Sequence, residues 1–122
     1  MIRRNTILIF ALAAGLMAAD SAVVVEARKL MAAKKYDDAI AKLEPAYKAK
    51  PAPDVTKALA DANLAKADSF MNDDAMPPRT KYTGALRAYR EVLKYDKNNA
   101  QAQQAINTIE SIYKSMGRPI PQ

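Results

Sequence analysis

The strongest constraint on this chain is that it says one thing twice. Tyr36, Asp37, Asp38, Ala39 and Ile40 lead through Leu43, Ala46 and Tyr47 to Lys48 and Pro51. Tyr82, Thr83, Gly84, Ala85 and Leu86 lead through Tyr89, Val92 and Leu93 to Lys94 and Lys97. The two runs correspond at a constant offset of 46, as from Ala39 to Ala85. Repeats of this kind are helix pairs that stack, because one pair alone cannot bury its apolar stripe. The expected fold is therefore all-α: stacked antiparallel helix hairpins forming a short α-solenoid, two repeats plus a C-terminal capping helix.

Composition narrows the chemistry. The 122 residues suffice for one domain. Half of them are apolar and 26% are charged, as in an ordinary globule. Cysteine, histidine and tryptophan are all missing. Disulfides, thiolate nucleophiles, imidazole bases and soft-ligand metal sites cannot be built from this chain. We expect no cofactor and no enzyme. The formal charge is +6, but Lys and Arg come singly or in pairs such as Arg28-Lys29 and Lys34-Lys35, the pattern of solvated helix faces. No nucleic-acid partner is expected.

The chain opens with a different signal. Arg3 and Arg4 precede an apolar run from Thr6 to Ala19, closed by Asp20. A basic start, a short apolar stretch and small residues after it make a secretory signal peptide over residues 1–21. A bilayer span needs about 20 apolar residues, so an uncleaved inner-membrane anchor is the second reading. Cutting after Ser21 sets Ala19 and Ser21 in the small-residue positions; cutting after Ala19 sets Met17 in one of them. With the leader removed after Ser21, 17 basic residues face 12 acidic ones, so the +5 balance belongs to the folded part. The expected location is the periplasm or the outside of the cell.

Five helices can be read in the rest, residues 22–117, with 118–122 as a tail. The first, from about Ala22 to Ala33, carries Val23, Ala27, Leu30 and Met31 on one side. The second has Asp37 and Asp38 at its start and Lys48 and Lys50 at its end, which suits the helix dipole. Pro45 lies inside its stripe and predicts a bend or a restart. Asp54 is the expected N-cap of the third helix, which runs from Val55 to about Met71. That helix is apolar on two sides. Val55, Leu59 and Ala62 form one row; Ala60, Leu64, Ala67 and Met71 form another, the mark of a helix between two neighbours.

Residues 72–78 read as a loop, with Pro78 near the start of the fourth helix and Gly84 loosening its first turns. Asn98-Asn99 opens the fifth helix, whose stripe is Ala102, Ala105, Ile106, Ile109, Ile112, Tyr113 and Met116. Gly117 and then Pro119 end it.

These residues resemble the tetratricopeptide repeat family. Its second helix places an aromatic and acidic residues before a small one, then a large residue, a small one and a closing proline. Tyr36, Asp37, Asp38, Ala39, Leu43, Ala46 and Pro51 follow that order; Tyr82, Ala85, Tyr89 and Val92 follow it again, with Lys97 in the proline's place. Leu30 and Leu64 correspond to the large residue late in each first helix. The family repeat is about 34 residues, so the longer offset implies an insertion, placed between Phe70 and Lys81. The family's first-helix Trp and Gly are replaced by Lys57 and Asp61 in one copy and by Val23 and Ala27 in the other.

The resemblance implies a concave groove on the first helices, lined by Val24, Arg28, Met31, Val55, Ala58, Ala62, Ala65 and Lys66. Val24, Val55 and Ala58 stand where some members carry polar residues that grip terminal carboxylates. A shallow, mostly apolar groove for a helix or an extended segment is the better expectation. The function so implied is a non-catalytic protein–protein interaction module, an adaptor or scaffold of the bacterial periplasm or envelope. The alternative is a cationic domain that binds an anionic polymer or envelope surface by charge. Asp73-Asp74 lacks the alternating acidic pattern and glycine of a calcium loop and reads as a polar loop. Tyr36, Tyr47, Tyr82, Tyr89 and Tyr113 fall on core stripes rather than on a base-stacking face.

Overall fold

The computed structural model describes residues 20–122. Except for Asp20 and Ser21, the expected leader lies outside the described residues. Within them are five α-helices and no strand: α1 (Ala22–Ala32), α2 (Tyr36–Ala49), α3 (Pro53–Met71), α4 (Pro78–Tyr95) and α5 (Ala100–Ser115). Each helix packs on its successor, most extensively α3 on α4, and α1 also packs on α3.

α3 is the shared wall. Its Val55, Ala58, Leu59 and Ala62 join Val24, Ala27, Ala39 and Leu43 in one apolar cluster. Its Ala60 and Ala67 join Ala85, Leu86, Tyr89, Val92, Ala102 and Ile109 in a second. The two rows of apolar residues in the α3 sequence therefore serve two cores, one on each side of it. Large side chains such as Leu43, Leu59, Leu86 and Ile109 are fully enclosed, each stabilising the fold by about 1.5–3 kcal/mol before entropy is counted.

Several counterparts in the two runs are similarly buried. Ala39 on α2 and Ala85 on α4 are both 0% exposed. Leu43 and Tyr89 are buried one turn later, while Tyr36 and Tyr82 are both half-buried. A methyl group at the tight position lets the neighbouring helix approach closely, and a larger side chain there would force it away. The ends of α2 and α4 also meet, through edge-to-face rings of Tyr47 and Tyr95 with centroids 5.1 Å apart.

The stretch expected to hold the insertion, Phe70 to Lys81, is half helix: it takes in the end of α3 and the first turn of α4, with residues 72–77 as a non-helical link between them. α3 runs 19 residues against 11 in α1, and α4 starts at Pro78, ahead of Tyr82, the counterpart of Tyr36 at the head of α2.

Two local expectations need correction. α2 runs unbroken through Pro45, so there is no restart. Pro45 removes the N–H that would bond the Ala41 carbonyl, and both residues are exposed, so water can take that carbonyl. Asp54 is not the N-cap of α3: Ala52 is, with Pro53 in the first turn, where its fixed φ and missing N–H cost nothing. The Asp54 carboxylate instead accepts the Ser21 amide at 2.8 Å, and also its neighbour Val55 N–H. Ser21 is the N-cap of α1, so Asp54 tethers the start of one helix to the start of another. These hydrogen bonds, with the Ser21 amide foremost, hold its pKa below the usual carboxylate value.

The C-terminal end follows the expected order. Asn99 caps α5 by accepting the Ala102 amide at 2.9 Å. Gly117 adopts φ 64° after the helix. Its amide bonds the Lys114 carbonyl and the Arg118 amide bonds the Tyr113 carbonyl. This Schellman turn sends the tail back over the protein. Ile120 then packs on the second core, and Arg90 Nη1 donates to the Pro121 carbonyl at 2.8 Å.

Candidate partner-binding surfaces

The eight residues expected to line a groove divide into two sets of four. Val24, Val55, Ala58 and Ala62 are no more than 4% exposed and belong to the α1–α2–α3 core. α1 and α3 pack directly on each other, and small side chains on α3 let them come close, so this part of the expected groove is closed. These four residues support the fold and offer a partner no surface. Arg28, Met31, Ala65 and Lys66 remain half-exposed.

Both cations in that exposed set already have partners. Arg28 reaches Asp61 at 3.2 Å and Asp20 at 3.6 Å, and Lys57 shares Asp61 at 3.2 Å. Lys66 Nζ lies 2.7 Å from Asp37 on α2. Exposed pairs of this kind add little stability, but they spend the positive charge that a carboxylate-seeking groove would need.

Beside this set, the turn between α1 and α2 and the second half of α3 enclose a shallow hollow of about 610 Å³. Tyr36, Ala65, Asp68 and Ser69 help to line it. The turn is held by Lys34 at φ 62°, whose amide bonds the Met31 carbonyl while that of Lys35 bonds Leu30. This is a second Schellman turn, here with lysine where glycine is usual.

At the far edge, Asp68 accepts the Tyr89 hydroxyl at 2.6 Å and the Gln101 side-chain amide at 3.0 Å, joining α3, α4 and α5. Burial first, and then the adjacent Asp68 carboxylate, push the Tyr89 pKa well up. Tyr89 is thus a neutral donor that ties α4 to α3.

A second opening lies between the start of α4, the end of α5 and the returning tail. Its volume is about 580 Å³, within the usual range of about 300–1,000 Å³ for ligand sites. The sequence pattern gave no sign of it. Gly117 reads as a helix stop, and nothing in the residues after it shows that they fold back as a wall.

The exposed face of α5 also borders a broad hollow, lined mainly by Gln103, Gln104, Asn107 and Thr108. The Asp73–Asp74 segment is a polar loop in which Asp73 accepts the Ala75 amide at 3.0 Å. Among the described residues no group of three acidic side chains is placed to hold a metal ion. No helix among them is long and apolar enough to cross a membrane.

Compared with family models, with curated proteins and with solved structures, the chain gives no match.

Proposed function

We propose that this chain is an exported, non-catalytic interaction module of the tetratricopeptide type, which docks a protein partner in the bacterial periplasm or envelope. One observation carries the reading: Ala39 and Ala85, 46 positions apart, are equally enclosed on corresponding helices. That is the environment a stacked repeat demands of its small residue. The long third helix between two cores and the wet outer face of α5 support the same architecture. Docking on the surface formed by Arg28, Met31, Ala65, Lys66 and the adjoining hollow then replaces docking along the whole shallow groove expected from the sequence.

Export rests on the sequence of residues 1–19 and on the two residues after them. Of the two possible cuts, the one after Ala19 keeps Ser21, whose amide Asp54 accepts, and Asp20, which pairs with Arg28. The mass of the exported product tests this directly.

For docking, envelope extract is passed over the wild-type protein and over a variant with Met31→Glu, Ala65→Glu and Lys66→Glu. A partner retained by the first and lost by the second supports the reading; equal retention by both overturns the assigned surface. The alternative, binding of an anionic polymer by charge, would show a steep loss of affinity with salt.

A further inference from the structure

The geometry points to a second, selective docking site: the cleft between α4, α5 and the returning tail takes an acidic protein segment that carries an apolar anchor side chain. It rests on the reading of the chain as a docking module and names both the place and the chemistry of the occupant.

The cleft has two kinds of wall. Apolar surface comes from Tyr82, Ile112, Met116, Pro119 and Pro121. Met116 is 51% exposed, one of two large apolar residues so exposed among those described. An apolar side chain entering here would remove that surface from water, which favours binding in proportion to the area covered. Deeper in, the hydroxyls of Thr83 and Tyr113 lie 3.2 Å apart and supply a polar handle.

The other wall is cationic. Arg79 and Arg118 both line the cleft, and among the described residues neither has a carboxylate within ion-pair distance. This distinguishes them from Arg28, Lys66 and Arg90. The first turn of α4 has no acidic residue, and Pro77 before it gives no side-chain cap. The unneutralised positive end of α4 therefore adds to the two guanidinium groups. Charge complementarity calls for carboxylates, and the planar guanidinium binds them in pairs of hydrogen bonds. The apolar wall calls for an aliphatic or aromatic anchor beside them.

The cleft is also built rather than incidental. Gly117 turns the tail, the half-buried Ile120 packs on the core, and Arg90 holds the Pro121 carbonyl, so Pro119 and Pro121 stand as a fixed wall. A fixed wall lowers the ordering cost of binding.

The test uses fluorescence anisotropy with three labelled, end-blocked octapeptides. One alternates Glu with Leu, a second has Gln for every Glu, and a third has Ser for every Leu. Wild-type protein should bind the first and bind the other two at least about tenfold more weakly. Arg79→Gln with Arg118→Gln, both exposed positions, should weaken the first peptide by about tenfold or more while leaving the helical content unchanged. Met116→Glu should do the same.

No binding of the first peptide by the wild type overturns the proposal, as does equal binding by the double Arg variant. Equal binding of the Ser-containing peptide shows simple charge attraction and overturns it too. Self-association abolished by the double Arg variant, seen by sedimentation, would give the cleft to a second copy of the chain and overturn the assigned occupant. The extract experiment separates the two readings. Failure of the first peptide to bind the wild type, with a partner still recovered from extract, removes this cleft but leaves the docking module; no partner recovered by any protein removes the module itself.

Discussion

Gly84 is where the packing between α3 and α4 can be tested most sharply. A Cβ added there would lie 2.9, 3.0 and 3.1 Å from three ring atoms of Phe70. Ordinary carbon contacts sit at about 3.5–4.0 Å, so Gly84→Ala would push into the ring edge along its whole length. Phe70 is half-buried and packed on the core beside α4, so moving the ring gives up part of that packing.

Two opposed effects decide the sign. Alanine is better than glycine in a helix interior by about 1 kcal/mol, while overpacking costs about 1–3 kcal/mol. The expected net result is a loss of about 1 kcal/mol, read from urea unfolding followed by far-UV circular dichroism. In a Phe70→Leu background the ring is gone and only the helix term remains, so the same substitution should gain up to about 1 kcal/mol. The two changes should therefore couple by about 1–2 kcal/mol. Stabilisation by Gly84→Ala in the wild-type background, or simple additivity with Phe70→Leu, would refute the reasoning.

Local geometry sets three more expected outcomes. Lys34 holds a left-handed conformation that costs an ordinary residue about 1 kcal/mol, so Lys34→Gly should raise unfolding stability by roughly 0.5–1 kcal/mol; a loss would show that its side chain supports the turn. Gly117→Ala should lower stability by about 1 kcal/mol and raise proteolysis of the tail, since the Cβ meets no neighbour and the strain is purely backbone; unchanged tail protection would refute this. Asp54→Ala should lower the denaturant midpoint at neutral pH. Because the folded-state pKa is depressed, the carboxylate's contribution is complete above its ordinary value of 3.8 and fades as pH falls below it; a gap between the variant and the wild type that persists in acid would contradict the Ser21 tether.

Much of the helical layout was legible because it is periodic. The two apolar rows of α3 each found the core they pointed to, and the tyrosines at Tyr89 and Tyr113 were rightly placed inside. What the pattern misjudged depends on contacts made across the chain. Asp54 looked like a cap because it comes straight after Pro53, but its carboxylate is drawn to Ser21, 33 positions away. Pro45 suggested a restart, yet local sequence does not reveal that Ala41 and Pro45 share a solvent face. Val24, Val55, Ala58 and Ala62 were placed on a groove because the register of the first helices was read without the closeness of α1 to α3. The cleft by the tail escaped notice because residues after a helix stop carry no period. Only the turn at Gly117 and the packing of half-buried Ile120 on the core bring them back.

The repeat architecture requires that the two tight positions be equivalent. Unfolding free energies of Ala39→Leu and Ala85→Leu, measured against Ala41→Leu on the exposed side of α2, test it most directly. Both core substitutions should cost about 1–3 kcal/mol, while Ala41→Leu should stay within about 0.5 kcal/mol of the wild type. If leucine is accepted at one of the two sites and rejected at the other, the helix pairs do not repeat each other's packing.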